Sequence, residues 1–224
     1  MQSSQEILQR PKHHNKPLST MKILKVFENN INERHIDSAV ECLHDGEIII
    51  FPTDTLYALG CDALNNNAIE RICRIKEINP QKTNLSIICS SISQASEYAR
   101  IDNRAYQLLR DNLPGAFTFI LPASTTLPKV FKGRKTVGVR IPENKIAIKL
   151  AESLGNPILT TSIKWDESSP EEGCEPEYVA MKYNDVAELI IDGGMGELIP
   201  STVIDCTDSS SPEIIREGKG ILNQ

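Results

Sequence analysis

Residues Phe51–Leu64, FPTDTLYALGCDAL, place two threonines, an aspartate and a tyrosine directly behind the apolar run EIIIFP. Three later stretches resemble it: PGAFT (Pro114–Thr118), TTS (Thr160–Ser162) and GGMGELIPST (Gly193–Thr202). Each sets hydroxyls or glycines where an apolar run begins or ends. Taken singly, such residues are ordinary turn formers. Jointly they mark the place where open α/β sheets bind ligands, the crevice at the strand ends where short polar side chains and backbone amides converge. Such groups hold a ligand rather than attack it. There is no G-x-S-x-G elbow, and Ser162 and Ser201 lack a histidine in any triad context, because His13, His14, His35 and His44 all precede these stretches. Neither G-x-x-x-x-G-K-[ST] nor G-x-G-x-x-G occurs, so any phosphate is held in another way.

Cations are available for that task. Lys129, Lys132, Arg134, Lys135, Arg140, Lys145 and Lys149 stand against the single acid Glu143, and the balance inverts between Asp166 and Glu197. A charge run is ordinarily a solvated face. The sharper reading is a cationic region for a polyanion such as a nucleoside triphosphate or RNA. The net charge of −6 argues against indiscriminate nucleic-acid binding.

The elements that must position these groups follow from the apolar pattern. A chain of 224 residues with 40% hydrophobic and 24% charged residues can bury a substantial core. No apolar stretch approaches the roughly 18 residues of a membrane span, and residues 1–20 lack the apolar segment of a secretory signal, so a cytoplasmic location is expected. The six cysteines form no C-x-x-C pair and read as reduced core thiols. Residues 1–20 read as a disordered arm. The first apolar alternation begins at Met21, followed by a helix over Ile36–Leu43, ended by Asp45-Gly46, and a buried strand over Glu47–Pro52. A helix from Ala68 to Lys76, a strand over Leu85–Cys89, helices over Ser93–Ala99 and Asn103–Asn112, and a strand over Phe117–Leu121 come next. Thr136–Pro142 is a strand. Asn144 caps a helix through Leu154, and Gly155 ends it. Strands over Pro157–Ser162, Ala187–Asp192, Ser201–Asp205 and Glu213–Glu217 complete the set. The alternation predicts an α/β protein with a twisted mixed sheet and flanking helices, one domain over residues 21–224.

In order and spacing, PTDTLYALGCDA, RICRIK, PGAFTFIL, TVGVRIP, TTS, IIDGG, STVID and IIREG resemble the YrdC-like family, which includes threonylcarbamoyl-AMP synthase; the match runs from Gly46 to Gly220. The resemblance implies a twisted sheet around a cationic concave cavity. It also implies a nucleotidyltransferase activity that joins threonine, bicarbonate and ATP, with Mg²⁺, into threonylcarbamoyl-adenylate and pyrophosphate for threonylcarbamoyladenosine formation in tRNA. Carried over, Thr55, Thr118, Ser162 and Ser201 face the threonyl part, while Lys76, Asn84, Arg140 and Arg216 lie on the nucleotide or phosphate side. No residue is implied as a covalent nucleophile and none as a metal ligand. Two motifs depart from the synthases: their K-x-R is here Lys76-Glu77-Ile78, and their S-x-N is Ser162-Ile163-Lys164. Cys89 stands where many members carry histidine. These departures resemble the YciO-like subgroup. Two other classes stay open beside the synthase: an enzyme using another carbamoyl or adenylate substrate, and a non-catalytic binder of tRNA or other structured RNA. Five Phe, five Tyr and one Trp supply no evident stacking platform for RNA.

Overall fold

A computed structural model describes residues 21–80, 82–133 and 135–223 of the chain, so the expected arm at 1–20 lies outside the described residues. The chain alternates strands β1 (Lys22–Lys25), β2 (Ile49–Phe51), β3 (Ala58–Asp62), β4 (Ser86–Ile88), β5 (Phe117–Pro122), β6 (Thr136–Arg140), β7 (Ile158–Ser162), β8 (Leu189–Asp192), β9 (Thr202–Asp205) and β10 (Glu213–Arg216) with helices. The helices are α1 (Glu33–His44), α2 (Asn66–Lys76), α3 (Ile92–Tyr98), α4 (Asn103–Asn112), α5 (Lys145–Leu154), α6 (Glu171–Cys174) and α7 (Pro176–Lys182), with a 3₁₀ turn at Lys129–Gly133. The strands form one sheet in the order β1-β8-β2-β3-β7-β4-β6-β5-β9-β10. Four pairs are parallel (β1/β8, β2/β8, β4/β6, β5/β9) and the other five antiparallel, giving the mixed α/β architecture expected.

The helices start where side chains replace the missing backbone partners. Asn32 accepts from the N–H of Arg34, Asn65 from Ala68, Asp102 from Ala105 and Asn144 from Ala147. α5 ends at Gly155, whose φ of 76° is the left-handed conformation that glycine adopts without a Cβ clash. Buried residues at 36, 39, 40 and 43 give α1 one apolar face, and α5 presents Ile146, Ala147, Leu150, Ala151 and Leu154.

Two cores sandwich the sheet. Ile50, Leu59, Ile87, Phe119, Val139 and Leu159 pack with residues of α2, α3, α4 and α7. Ile49, Phe51, Ile88, Ile158, Leu189 and Ile191 pack under α1 and α5. Burial of each such side chain contributes about 1.5–3 kcal/mol.

The sequence reading missed three features. β3 lies inside the opening hydroxyl-rich motif: Ala58–Asp62 is fully buried and pairs with both β2 and β7, although Ala, Gly and Asp are poor strand formers. α6 and α7 occupy the acidic segment that reads as a solvated face, and they bury Cys174, Val179 and Ala180. The 3₁₀ turn at Lys129–Gly133 falls in the basic run.

Candidate functional site

Register places the polar residues side by side. β7 sets Thr160 opposite Ser86 of β4, and β6 sets Gly138 on the other side of Ser86. Two residues along a strand return to the same face, so Ser162, Thr160, Ser86, Gly138 and Arg140 share one face with Thr118 and Ile120 of β5. A Cβ at Gly138 would come within 2.5 Å of Ser86 Oγ and 3.0 Å of the Thr118 methyl, so glycine is required for these two side chains to close over β6. Above them is a cavity of about 420 Å³ lined by Asn84, Ser86, Thr118, Arg140, Thr160, Ser162, Ser201 and Arg216, with Ile72 and Ile78 on its apolar side. Among the described residues two guanidinium groups line it and no carboxylate does.

Arg140 is fixed from behind. One Nη2 N–H donates to Asp54 Oδ1 at 3.0 Å, and Nη2 also donates to Thr55 Oγ1 at 3.1 Å. Thr55 hydrogen-bonds to Thr53 Oγ1 at 3.0 Å, and Thr53 donates to the Leu56 carbonyl at 2.7 Å. Asp54 Oδ2 accepts the Glu143 N–H at 3.0 Å. The hydroxyls of the opening motif therefore orient an arginine inside the protein. Arg140 and Asp54 side chains are only 6% and 7% exposed, so the pair is a buried one. Burial weakens the hold of Arg140 on its proton, and Asp54 opposes that effect. Among the described residues two buried polar atoms are left without a partner, Arg140 Nε and Thr160 Oγ1. An N–H of this kind requires an acceptor, and leaving it unmade costs about 1–3 kcal/mol.

The opposite wall is built by the C-terminal strands. Thr118 Oγ1 lies 2.8 Å from Ser201 Oγ, and Arg216 donates through Nε and Nη2 to the Ser201 carbonyl at 3.2 and 2.8 Å. Burial lowers the affinity of Arg216 for its proton. Asn84 Oδ1 accepts from Thr136 Oγ1 at 3.0 Å, which turns its carboxamide in the cavity wall. The loop leading to Ser201 is held by Tyr57, whose hydroxyl donates to the Gly194 carbonyl at 2.7 Å and accepts the Gly193 N–H at 3.1 Å. Lys219 adds a bond to the Asp54 carbonyl at 2.8 Å and one to Glu197 at 2.6 Å.

Lys76, the last residue of α2, donates through Nζ to the Ser162 carbonyl. Burial first, and the charge of Lys164 second, pull its pKa down to about 8. Glu77 follows in the left-handed conformation at φ 54°, which turns the chain so that Ile78 reaches the cavity wall. Lys164 Nζ donates to the Lys76 carbonyl at 3.5 Å.

Of the residues singled out by sequence, Thr118, Ser162, Ser201, Asn84, Arg140 and Arg216 line one cavity although they span strands β4 to β10. Thr55 is fully buried behind Arg140, and Lys76 reaches the wall through a carbonyl. The basic run does not gather there. Among its described side chains only Arg140 lines this cavity, while Lys149 pairs with Glu33, Lys145 lines a groove beside α5, and Lys129 faces α2 across another. Nor is this the largest cavity, since the groove between α2 and the 3₁₀ turn encloses about 620 Å³. Cys89 is buried in the core, where desolvation pushes its thiol up to about 12. Sequence reasoning missed Asp54, Ser86 and Thr160. Asp54 was visible within the motif, but its partner stands 86 residues away.

The family model Sua5/YciO/YrdC, described as "Telomere recombination", matches residues 41–218. The uncharacterized protein YciO of Escherichia coli (strain K12) is 41% identical over 197 residues, covering 87% of this chain and 94% of that one. The crystal structure of E. coli YciO superposes with a TM-score of 0.82 at 39% identity, over 90% of this chain and 97% of that one. A threonylcarbamoyl-AMP synthase of Pyrococcus abyssi (strain GE5 / Orsay) is 35% identical over 88% of this chain and 58% of its own length. The crystal structure of P. abyssi Sua5 complexed with L-threonine superposes with a TM-score of 0.77 at 34% identity, over 88% and 57% of the two chains.

Proposed function

This chain belongs to the Sua5/YciO/YrdC family, and from that premise we propose that it is a threonylcarbamoyl-AMP synthase-like enzyme of low turnover, acting in the cytoplasm on threonine, bicarbonate and ATP. The observation that carries the reading is the cavity itself: Arg140 and Arg216 stand among hydroxyls with no carboxylate in the lining. Such a lining suits an amino acid whose carboxylate needs donors and a nucleotide whose phosphates need cations.

In this reading Thr118, Ser162 and Ser201 hold the threonyl part, and Thr55 acts on it through Arg140. Arg216, Asn84 and Lys76 hold the nucleotide. An oxygen of the threonine carbamate attacks the α-phosphorus, the bond to the β-phosphate oxygen breaks, and pyrophosphate leaves with the bonding pair. No covalent enzyme intermediate is needed, so fixed donors around the developing charge supply the rate enhancement. The donors present are hydroxyl, carboxamide, guanidinium and ammonium groups. No carboxylate among the described lining residues would hold a Mg²⁺, so one brought with ATP would depend on the nucleotide and would supply neutralisation of phosphate charge. The adenylate then serves as threonylcarbamoyl donor for tRNA.

Low turnover follows from Ile78. An apolar side chain forms the wall where the synthases' motif has arginine, and the loss of positioned donors costs roughly two to four orders of magnitude in rate. The test is incubation of the purified protein with ATP, Mg²⁺, bicarbonate and labelled threonine. Slow formation of threonylcarbamoyl-adenylate with matching pyrophosphate is expected, faster in Ile78→Arg and fastest when Lys164→Asn is added. Turnover equal to a relative with both motifs intact would overturn the defect, and absence of product in all variants would overturn the activity.

A further inference from the structure

Two lysines stand behind the cavity wall, Lys76 on the Ser162 carbonyl and Lys164 on the carbonyl of Lys76 itself. Lys76 is half-buried, its Nζ donates to the Ser162 carbonyl, and Ile72, one turn earlier on α2, lines the cavity with Ile78 and Ser162. Lys164 reaches back from the end of β7 to the Lys76 carbonyl. Among the described residues no carboxylate pairs with either ammonium. On α2 itself Arg71 pairs with Glu47. Asp62 of β3 accepts from the Leu64 N–H and the Asn156 carboxamide, Lys129 sits on the 3₁₀ turn, and Arg140, held by Asp54, and Arg216 line the cavity. After burial, the charge of Lys164 is what makes the Lys76 ammonium costly.

A half-buried ammonium beside a like charge is relieved by losing its proton, and the resulting neutral amine is a nucleophile. We propose that Lys76 is a site of reversible carbamylation by carbon dioxide, the carbamate anion being held opposite the Lys164 ammonium. The neutral Nζ lone pair forms a bond to the carbon of CO₂, one C=O electron pair moves onto oxygen, and the nitrogen gives a proton to solvent. With the proton lost beforehand, two protons are released for each carbamate formed. No oxidant or reductant is involved. The product keeps one N–H, so the bond to the Ser162 carbonyl is preserved, and a pair of like charges becomes a pair of opposite ones. A pKa near 8 makes the neutral amine abundant at mildly alkaline pH, where an ordinary lysine at 10.5 holds its proton. Carbamylated Lys76 repels phosphate, so the modification and nucleotide binding oppose each other.

The test is independent of turnover. The full chain is equilibrated with bicarbonate/CO₂ at mildly alkaline pH, trapped with triethyloxonium ion, and mapped by peptide mass spectrometry. An ethoxycarbonyl adduct is expected on Lys76 and not on the 70%-exposed Lys25. Lys76→Arg removes the adduct from its peptide. Lys164→Gln, which takes away both the like charge and the counter-cation, lowers the trapped fraction on Lys76 several-fold while leaving the circular dichroism unchanged. No adduct on Lys76, equal labelling of Lys25, or undiminished trapping in Lys164→Gln would each overturn the proposal. Because no product is assayed, these outcomes are separate from those of the synthase experiment.

Discussion

Strands β4 and β7 carry Ile88 opposite Ile158 and, two residues along the same face, Ser86 opposite Thr160. The isoleucine end is covered by α1 and α5 and is part of the core. The hydroxyl end is left uncovered and forms the cavity floor. The strands, the face and the pairing are shared, so strand geometry does not distinguish core from site. What differs is the cover and the balance of polar groups. At the covered end Ile88 and Ile158 pack among apolar side chains, whereas among the described residues the open end contains a buried ion pair and two unpartnered polar atoms. An unpartnered buried polar atom is a standing cost to stability.

The strongest way to break this comparison is to remove Arg140. Arg140→Met leaves Asp54 buried without its cation, and unfolding free energy should fall by about 3–5 kcal/mol, read by urea denaturation near neutral pH. A loss below about 1 kcal/mol would mean that Asp54 is hydrated and the pair is not closed. At the covered end, Ile158→Ala should cost about 2–4 kcal/mol through lost transfer and a cavity. Activity per folded molecule should be unchanged there, and a selective loss of activity would show that the two ends are not separable.

What the sequence made legible follows the same division. Elements with local signals were read well: α4 falls on Asn103–Asn112 as expected, and α5 runs from its Asn144 cap to Gly155. Caps and periodicity are written within a few residues. β3 was missed because ALGCD has neither alternation nor β-branched residues and owes its strand state to pairing with β2 and β7. α6 and α7 were missed because their acids conceal a narrow buried face. In the site, motif resemblance led to Thr118, Ser162, Ser201, Asn84, Arg140 and Arg216, which line one cavity. It did not reveal that Thr55 serves Arg140 from behind, nor that Thr160 has no partner, because both facts depend on contacts across strands. The basic run was misleading for a physical reason. Its members fall on a strand, a turn and a helix facing different ways, so nearness in sequence gave no common field.

A smaller change sharpens the contrast by reversing its sign. Thr160→Val keeps the shape and removes the unpartnered hydroxyl, so the protein should gain about 1 kcal/mol in urea denaturation while product formation falls. A loss of stability would show that Thr160 Oγ1 is satisfied in solution and that the open end carries less strain than its bonding implies.

The last expected effect is a dependence on pH that Lys76 gives to the open end. Lys76 has a folded-state pKa of about 8 against 10.5 for the unconstrained side chain. Between those values the unfolded chain binds more protons at this position than the folded one, so unfolding free energy rises with pH across that window. Below about pH 8 the folded protein bears the full cost of keeping the ammonium charged beside Lys164, and above the window that cost is gone. The parent should therefore gain stability relative to Lys76→Met as pH is raised from about 8 towards 10.5, in buffer freed of CO₂ so that carbamylation does not contribute. In Ile158→Ala the difference from the parent should be flat over the same range, because the substitution removes no titratable group. A flat difference for Lys76→Met would place the Lys76 ammonium in water, and with it the electrostatic half of the contrast between the two ends would be lost.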